Sequence, residues 1–337
     1  MVISKTPLRI SFFGGGTDLE KFTCEEDGAV LSCTIDKYIY VIVKASKDNK
    51  IHIKYFEQEN VDCIDEIKHT IVREAMRKTG IIGCVEVEIL TEVPYTGTGL
   101  GSSSSLTVGL LNAFYAYKNE EVSDEELARQ ACDIEISILR KTIGKQDQYI
   151  AAYGGLNIIR FKPDSTVSVQ PVDPGYDIYS ALQKYLLLFY TGIGRKAESI
   201  LEEQTKHISC TRPILRKMKE QVEVAYNIIL SNNLEQIGPL MQEGWNMKRQ
   251  LASEISNERI DELIELAIKA GATGTKITGA GGGGFILVFC EPEKKYMVRR
   301  ALSQLKEFRF SFDKCGTQLL WDEAAIAECL TNRAILG

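Results

Sequence analysis

Four stretches in the first ninety residues have the β-branched and aromatic content of strands: 1–13, 38–45 (YIYVIVKA), 51–55 and 84–90, where VEVEI alternates apolar and polar positions. Helical spacing is expected at 64–79 and, after a Gly- and Ser-rich stretch at 97–105, at 104–117. Ser123-Asp124-Glu125-Glu126 has the capping-box pattern ahead of apolar Leu127, Ala131, Ile134 and Ile138, which predicts a helix from about 124 to about 142. Gly154-Gly155 then turns the chain into a strand, LNIIRF.

Farther on, 184–190 (KYLLLFY) reads as a buried strand, and 195–207, 212–231, 234–251 and 258–270 read as helices. Strands at 285–290 and 316–321 flank a helix at 293–306. Strands and helices mix without a regular βαβ alternation, which favours an α+β fold over a doubly wound sheet. Residues 162–180, with Pro163, Pro171, Pro174 and Gly175, are the best linker, giving an expected division into lobes 1–165 and 166–337.

Composition narrows the function classes. The 337 residues carry 40 basic against 46 acidic side chains, a net charge of −6, with no electrostatic footprint for nucleic acid or an anionic membrane. Any phosphate must then be held locally. Nine cysteines are scattered without a C-x-x-C pair and read as reduced thiols, and three histidines make a zinc site an unfavourable reading. The start lacks a signal-peptide layout and no stretch reaches a membrane span, so a cytoplasmic protein is expected.

Pro94-Tyr95-Thr96-Gly97-Thr98-Gly99-Leu100-Gly101-Ser102-Ser103-Ser104-Ser105 lies between a strand and a helix signal. Three glycines in five residues let N–H groups turn inward, and a following helix N-terminus favours anions, so the loop can cradle a triphosphate; its hydroxyls can meet phosphate or magnesium. No Lys follows the last glycine, which excludes a Walker A loop; a flexible linker is the plain alternative. A second run, Thr278 to Gly284, contains G-x-G-x-x-G but reads as following a helix and opening a strand, so the dinucleotide reading fails. Close backbone approach to the first loop or to a ligand remains.

Glu135 has apolar helix neighbours at Ala131, Cys132, Ile138 and Leu139, placing a carboxylate in an interior or cleft that a cation such as magnesium would answer; a helix-edge Glu reaching solvent is the alternative. Asp147, in GKQDQ, can orient or deprotonate a hydroxyl if it stands beside phosphate. Arg9 sits in a strand and Asp18 just past a glycine turn, each with an ordinary surface or turn reading. Thr191-Gly192-Ile193-Gly194-Arg195-Lys196, before a helix, is a candidate anion site, with Lys248 and Arg249 in reserve.

In order, the three segments resemble the motifs of the GHMP kinases. GGGTDL, GAVLSCTIDKYIYV, GKQDQYIAAYGGLN and KITGAGGGGF resemble the D-glycero-D-manno-heptose 7-phosphate kinases within that superfamily, with L-fucose kinases as the nearest sibling. The resemblance implies a two-lobed α+β fold with a ribosomal-protein-S5-like N-terminal lobe and an α+β C-terminal lobe, and ATP and Mg2+ as cofactors. It implies phosphoryl transfer to an anomeric hydroxyl of a sugar phosphate. A sugar and nucleotide sensor on the same fold is the rival reading. It places ATP on Pro94, Gly97, Thr98, Gly99, Leu100, Gly101, Ser102, Ser103 and Ser104, metal on Ser103 and Glu135, and catalysis on Asp147 with Arg9. Substrate contacts are expected at Gly15, Gly16, Thr17, Asp18, Arg195, Gly281 and Gly282. Gly15 and Gly16 stand where galactokinases have a Glu-His pair, which leaves room for a larger sugar.

Overall fold

Residues 1–93, 97–194 and 197–322 are described by the computed structural model. Pro94, Tyr95, Thr96, Arg195 and Lys196, named above, lie outside the described residues, as does Cys329.

Two long apolar strands organise the first sheet. β1 (Val2–Phe13) and β2 (Gly28–Ala45) pair antiparallel, with Leu8 opposite Ile35 and Ile10 opposite Cys33, all four buried; α1 (Glu20–Thr23) lies between them. Beyond 54 and 61, β3 (Ile51–Lys54) and β4 (Gln58–Val61) are joined to the sheet through β5 (Val85–Thr91), which β3 meets in parallel. Helices α2 (Thr70–Thr79), α3 (Ser102–Tyr117), α4 (Asp124–Cys132) and α5 (Gln146–Tyr153) cover it. Strand β2 is long enough to hold two partners along one edge: β5 runs beside Ile39–Ala45 and β6 (Leu156–Phe161) beside Gly28–Cys33. β7 (Val167–Pro171) extends the sheet from β6.

After α6 (Ile178–Gln183), a second, antiparallel sheet forms from β8 (Leu186–Tyr190), β9 (Ala272–Ile277), β10 (Phe285–Cys290) and β11 (Lys306–Glu307), in the order β11-β8-β10-β9. Helices α7 (Ala197–Leu230), α8 (Ile237–Lys248), α9 (Glu258–Lys269) and α10 (Lys295–Ala301) accompany it. The run FILVFC of β10 is apolar on both faces because both are covered. Phe285, Leu287 and Phe289 point into a core shared with the first sheet, and Ile286, Val288 and Cys290 into a second core with Trp245 and Leu263. Finally β12 (Gln318–Asp322) returns to the outer edge of β1.

The elements thus form the expected α+β mixture, with several shifts of detail. Helix α7 is continuous across 208–211, the gap between the helices expected at 195–207 and 212–231, and Pro213 lies inside it. An interior proline costs about 3 kcal/mol, but Ile208, Leu215, Met218 and Val222 bury a single stripe on both sides of it, at about 1.5–3 kcal/mol each. The expected helix 124–142 ends as an α-helix at Cys132 and continues as a π-turn over Asp133–Ile138. Residues 64–79 divide into a 3-10 turn at Ile64–Glu66 and α2. Segment 162–180 contains β7 and the start of α6, and the first sheet takes β7 and β12 from beyond 165, so one cut at that point does not separate the two sheets.

Candidate active site

The glycine loop and α3 lie against β1 because Arg9 N–H donates to Leu100 O at 3.0 Å and Ser105 Oγ donates to Pro7 O at 2.8 Å. Gly101 caps α3 in the left-handed region, φ 81°, and a Cβ there would stand 3.2 Å from Arg9 Cγ and 3.5 Å from Asp147 Oδ2. A side chain at this position would therefore be strained and would crowd the pair beneath it. The N-terminal turn of α3, with its unpaired N–H groups, opens onto a cavity of about 500 Å3. Gly97, Thr98, Gly99, Gly101, Ser102, Ser103 and Ser104 line this cavity, whereas Leu100 is buried behind it.

Arg9 and Asp147 meet there, although 138 residues separate them. Arg9 Nε and Nη2 donate to the two carboxylate oxygens at 2.7 and 2.6 Å, and Nη1 donates to Gly99 O at 2.5 Å. Asp147 occupies the first turn of α5, a helix absent from the sequence expectation. Its side chain keeps 22% exposure toward the cavity while Arg9 is 4% exposed. A carboxylate fixed in orientation beside an anion-binding helix end can accept a proton from a bound hydroxyl.

Glu135 is fully buried in the π-turn. Its Oε1 accepts from Ser103 Oγ at 2.5 Å and from Lys141 Nζ at 3.0 Å, its Oε2 accepts from Gln148 Nε2 at 2.8 Å, and Lys141 Nζ also donates to Ser103 Oγ at 2.8 Å. The carboxylate is thus answered by a cation on the side facing Ser103. An extra residue per turn is what aims Glu135 at α3, and π-turns often mark functional positions. No group of three or more His, Cys, Asp or Glu side chains arranged for a metal occurs among the described residues. Lys141 and Gln148 were not singled out from the sequence; nothing in their spacing separates them from ordinary polar residues.

Asp18 is buried, accepts from Gly16 N at 3.0 Å and Gln146 N at 3.3 Å, and borders the cavity with Gly15 and Gly16. Burial, and secondarily the Asp147 charge, push its carboxyl above the usual range. Thr17 is turned away; its hydroxyl bonds Gly14 O and Ala29 O.

The third motif is a hairpin loop between β9 and β10, so it follows a strand and not α9. Gly284, φ 84°, comes so near the first loop that a Cβ would stand 2.4 Å from Thr98 O, and Thr278 Oγ1 donates to the same carbonyl at 3.0 Å. Close backbone approach between the two loops is therefore the use of this glycine run. Gly281 and Gly282 pack on Ile255, the latter donating to its carbonyl at 2.7 Å, and Gly279 and Ala280 line the cavity in their stead.

Of the reserve cations, Lys248 lines the cavity and donates to Gly279 O at 2.5 Å, whereas Arg249 pairs with Asp261 on the surface at 2.8 Å. Lys276, not anticipated, is buried in β9 and donates to Ser11 O and Phe12 O at 2.8 and 2.7 Å, tying the second sheet to β1. Burial pushes its ammonium well below the usual range, and the charges of Lys248 and Arg9 add to the shift.

A cavity of about 500 Å3 lined by a glycine loop and an Arg-held Asp is an arrangement suited to a small-molecule kinase. The chain matches the GHMP kinases N terminal domain over residues 66–155 and the GHMP kinases C terminal model over 213–307. It is 30% identical to the D-glycero-alpha-D-manno-heptose 7-phosphate kinase of Campylobacter jejuni, over 94% of this chain and 97% of that one. The structure resembles a D-glycero-D-manno-heptose 1-phosphate kinase of Bacteroides thetaiotaomicron, with TM-score 0.80, 25% identity and coverage of 95% and 99% of the two chains. A bifunctional fucokinase/GDP-fucose pyrophosphorylase of Arabidopsis thaliana is 25% identical over 90% of this chain and 31% of its own length. The chain belongs to the GHMP kinases, and it is a sugar kinase of that family.

Proposed function

We propose that the protein transfers the γ-phosphoryl group of ATP to the anomeric hydroxyl of D-glycero-D-manno-heptose 7-phosphate, giving the 1,7-bisphosphate. The observation that carries this reading is the Arg9–Asp147 pair, held at 2.6–2.7 Å on the same cavity as the glycine loop. The loop and the first turn of α3 hold the phosphates, Asp147 takes the proton of the attacking hydroxyl, and Arg9 keeps that carboxylate oriented. Asp18 contacts a sugar hydroxyl beside Gly15 and Gly16.

Magnesium carried with ATP suits the residues present. A single buried carboxylate with one hydroxyl already attracts a cationic group at this point, and Mg2+ commonly takes few protein ligands beside phosphates and water. Ser103 and Glu135 would hold it, and the ion would neutralise charge on the transferring phosphate.

The relatives are described as acting on different sugar phosphates, heptose 7-phosphate in one case and heptose 1-phosphate in the other. The identity of 30% over nearly the whole chain supports the 7-phosphate. Steady-state kinetics with ATP and heptose 7-phosphate, heptose 1-phosphate, mannose, fucose and galactose test the assignment, with phosphorus NMR of the product reporting the position phosphorylated. A clear preference for another of these sugars, or a product phosphorylated elsewhere than at the anomeric position, would overturn it. Among the described residues no helix is long and apolar enough to cross a membrane.

A further inference from the structure

The cavity has a cationic region that phosphoryl transfer from ATP does not use. Around the bare backbone of Gly15 and Gly16, a side-chain carbon would stand 3.7 Å from Ser11 Oγ, 3.8 Å from Gln146 Nε2 and 3.9 Å from Lys248 Nζ at the first position, and 3.9 Å from Gln204 Oε1 at the second. The space over Gly15 is thus open and ringed by polar groups, and at Gly16 Leu215 Cδ2 at 3.3 Å and Leu251 Cδ1 at 3.9 Å form an apolar wall beside Gln204. Gln204 projects from α7, is 4% exposed and lines the cavity, yet its Nε2 meets no acceptor among the described residues. A buried amide donor left without an acceptor is costly, so an acceptor supplied by a ligand accounts for it.

Charge points the same way. Lys248 is 7% exposed and its charge acts on buried Lys276, with Arg9 adding to the same positive field. The carboxylate of Asp147 is already engaged by Arg9, and burial disfavours the ionised form of Asp18. In a chain of net charge −6, Lys248 and Arg9, both buried and lining one cavity, are a local concentration of positive charge that suits an anionic ligand.

We infer that Lys248 and the Gln204 amide, over Gly15 and Gly16, form the subsite for the phosphate monoester that the sugar substrate already carries. This deepens the sugar-phosphate reading above and rests on it. Lys248 supplies the charge-assisted contact, Gln204 a directional donor, and the two glycines the volume; a side chain at either glycine would fill the space. The subsite is built from described residues and does not depend on Arg195.

Three variants test it: Lys248→Met, Gln204→Leu and Gln204→Glu, the last placing a carboxylate where the phosphate would sit. Thermal melting and circular dichroism establish that each is folded. Kinetics are measured with heptose 7-phosphate, together with inhibition by inorganic phosphate competing against the sugar phosphate. The expected result is a rise of about tenfold or more in KM for heptose 7-phosphate and in the phosphate inhibition constant for Lys248→Met and Gln204→Glu, and a smaller rise for Gln204→Leu, with KM for ATP nearly constant. Turnover of heptose 7-phosphate by the parent with unchanged constants in the folded variants would overturn the subsite and leave the kinase reading intact. So would a rise confined to KM for ATP. A parent enzyme acting only on unphosphorylated sugars would overturn both.

Discussion

Arg9 grips Asp147 through two parallel hydrogen bonds of 2.7 and 2.6 Å while its third nitrogen holds the carbonyl of Gly99. One guanidinium therefore sets the position of both the carboxylate and the glycine loop. Replacing Asp147 by Asn preserves shape and removes the proton acceptor. The expected outcome is a fall in kcat of about two orders of magnitude or more with little change in ATP affinity. Steady-state kinetics with a parallel ATP-binding measurement check this; near-normal turnover removes Asp147 from the role of base.

Glu135→Gln and Ser103→Ala act at the other end of the loop. Each weakens the pair that faces Lys141, and each is expected to raise the magnesium concentration needed for half-maximal activity. Titration of activity with magnesium at fixed ATP decides the point. Curves that saturate where the parent's does exclude these two residues as ligands.

Buried Asp18 has its carboxyl pushed above the usual range, chiefly by burial and next by Asp147. In the window between the unfolded value, near 4, and the raised folded value, the folded state binds the extra proton. Stability contributed by this group is therefore present at low pH and is lost as pH rises through that window. The melting temperature of Asp18→Asn minus that of the parent should grow with pH there and level off above it. A difference independent of pH would contradict the raised value.

Gly284→Ala would force a methyl group to within 2.4 Å of the Thr98 carbonyl at a backbone φ of 84°. Such overlap against backbone should destabilise by about 2 kcal/mol or more. Melting temperature should drop by several degrees and KM for ATP should rise, because Thr98 belongs to the glycine loop proposed to hold the phosphates. A variant with the parent's melting temperature would show that the loops can separate without penalty.

Sequence reading succeeds where one local signal decides the structure, and the glycine loop before α3 is such a case. It fails where tertiary context decides. Strand β9 (ATGTKI) lacks an apolar alternation because Thr275 and Lys276 are buried by partners, Gln242 for the first and two carbonyls of β1 for the second. The short helix α5 was hidden in polar GKQDQ, although its buried Tyr149, Ile150 and Ala151 follow directly. Glu135 was placed by α-helical spacing, but the π-turn changes which residues flank it; only its burial and its line to Ser103 were readable. Gln204 could have been noticed as a polar position on the apolar stripe of α7, along with Ile200 and Ile208.

The return of β12 to β1 bears on how the molecule is made. Thr6 Oγ1 lies 2.7 Å from Thr317 Oγ1, across 311 positions of sequence, and Val2 to Lys5 pair with residues 318–322. During synthesis, β1 can find β2 early, but its other edge stays open until residues 318–322 have left the ribosome. An unpaired strand edge invites pairing with a neighbouring chain. Strand β12 therefore acts as a late seal on the first sheet, and chains truncated before 318 should form the candidate active-site cleft yet aggregate through β1.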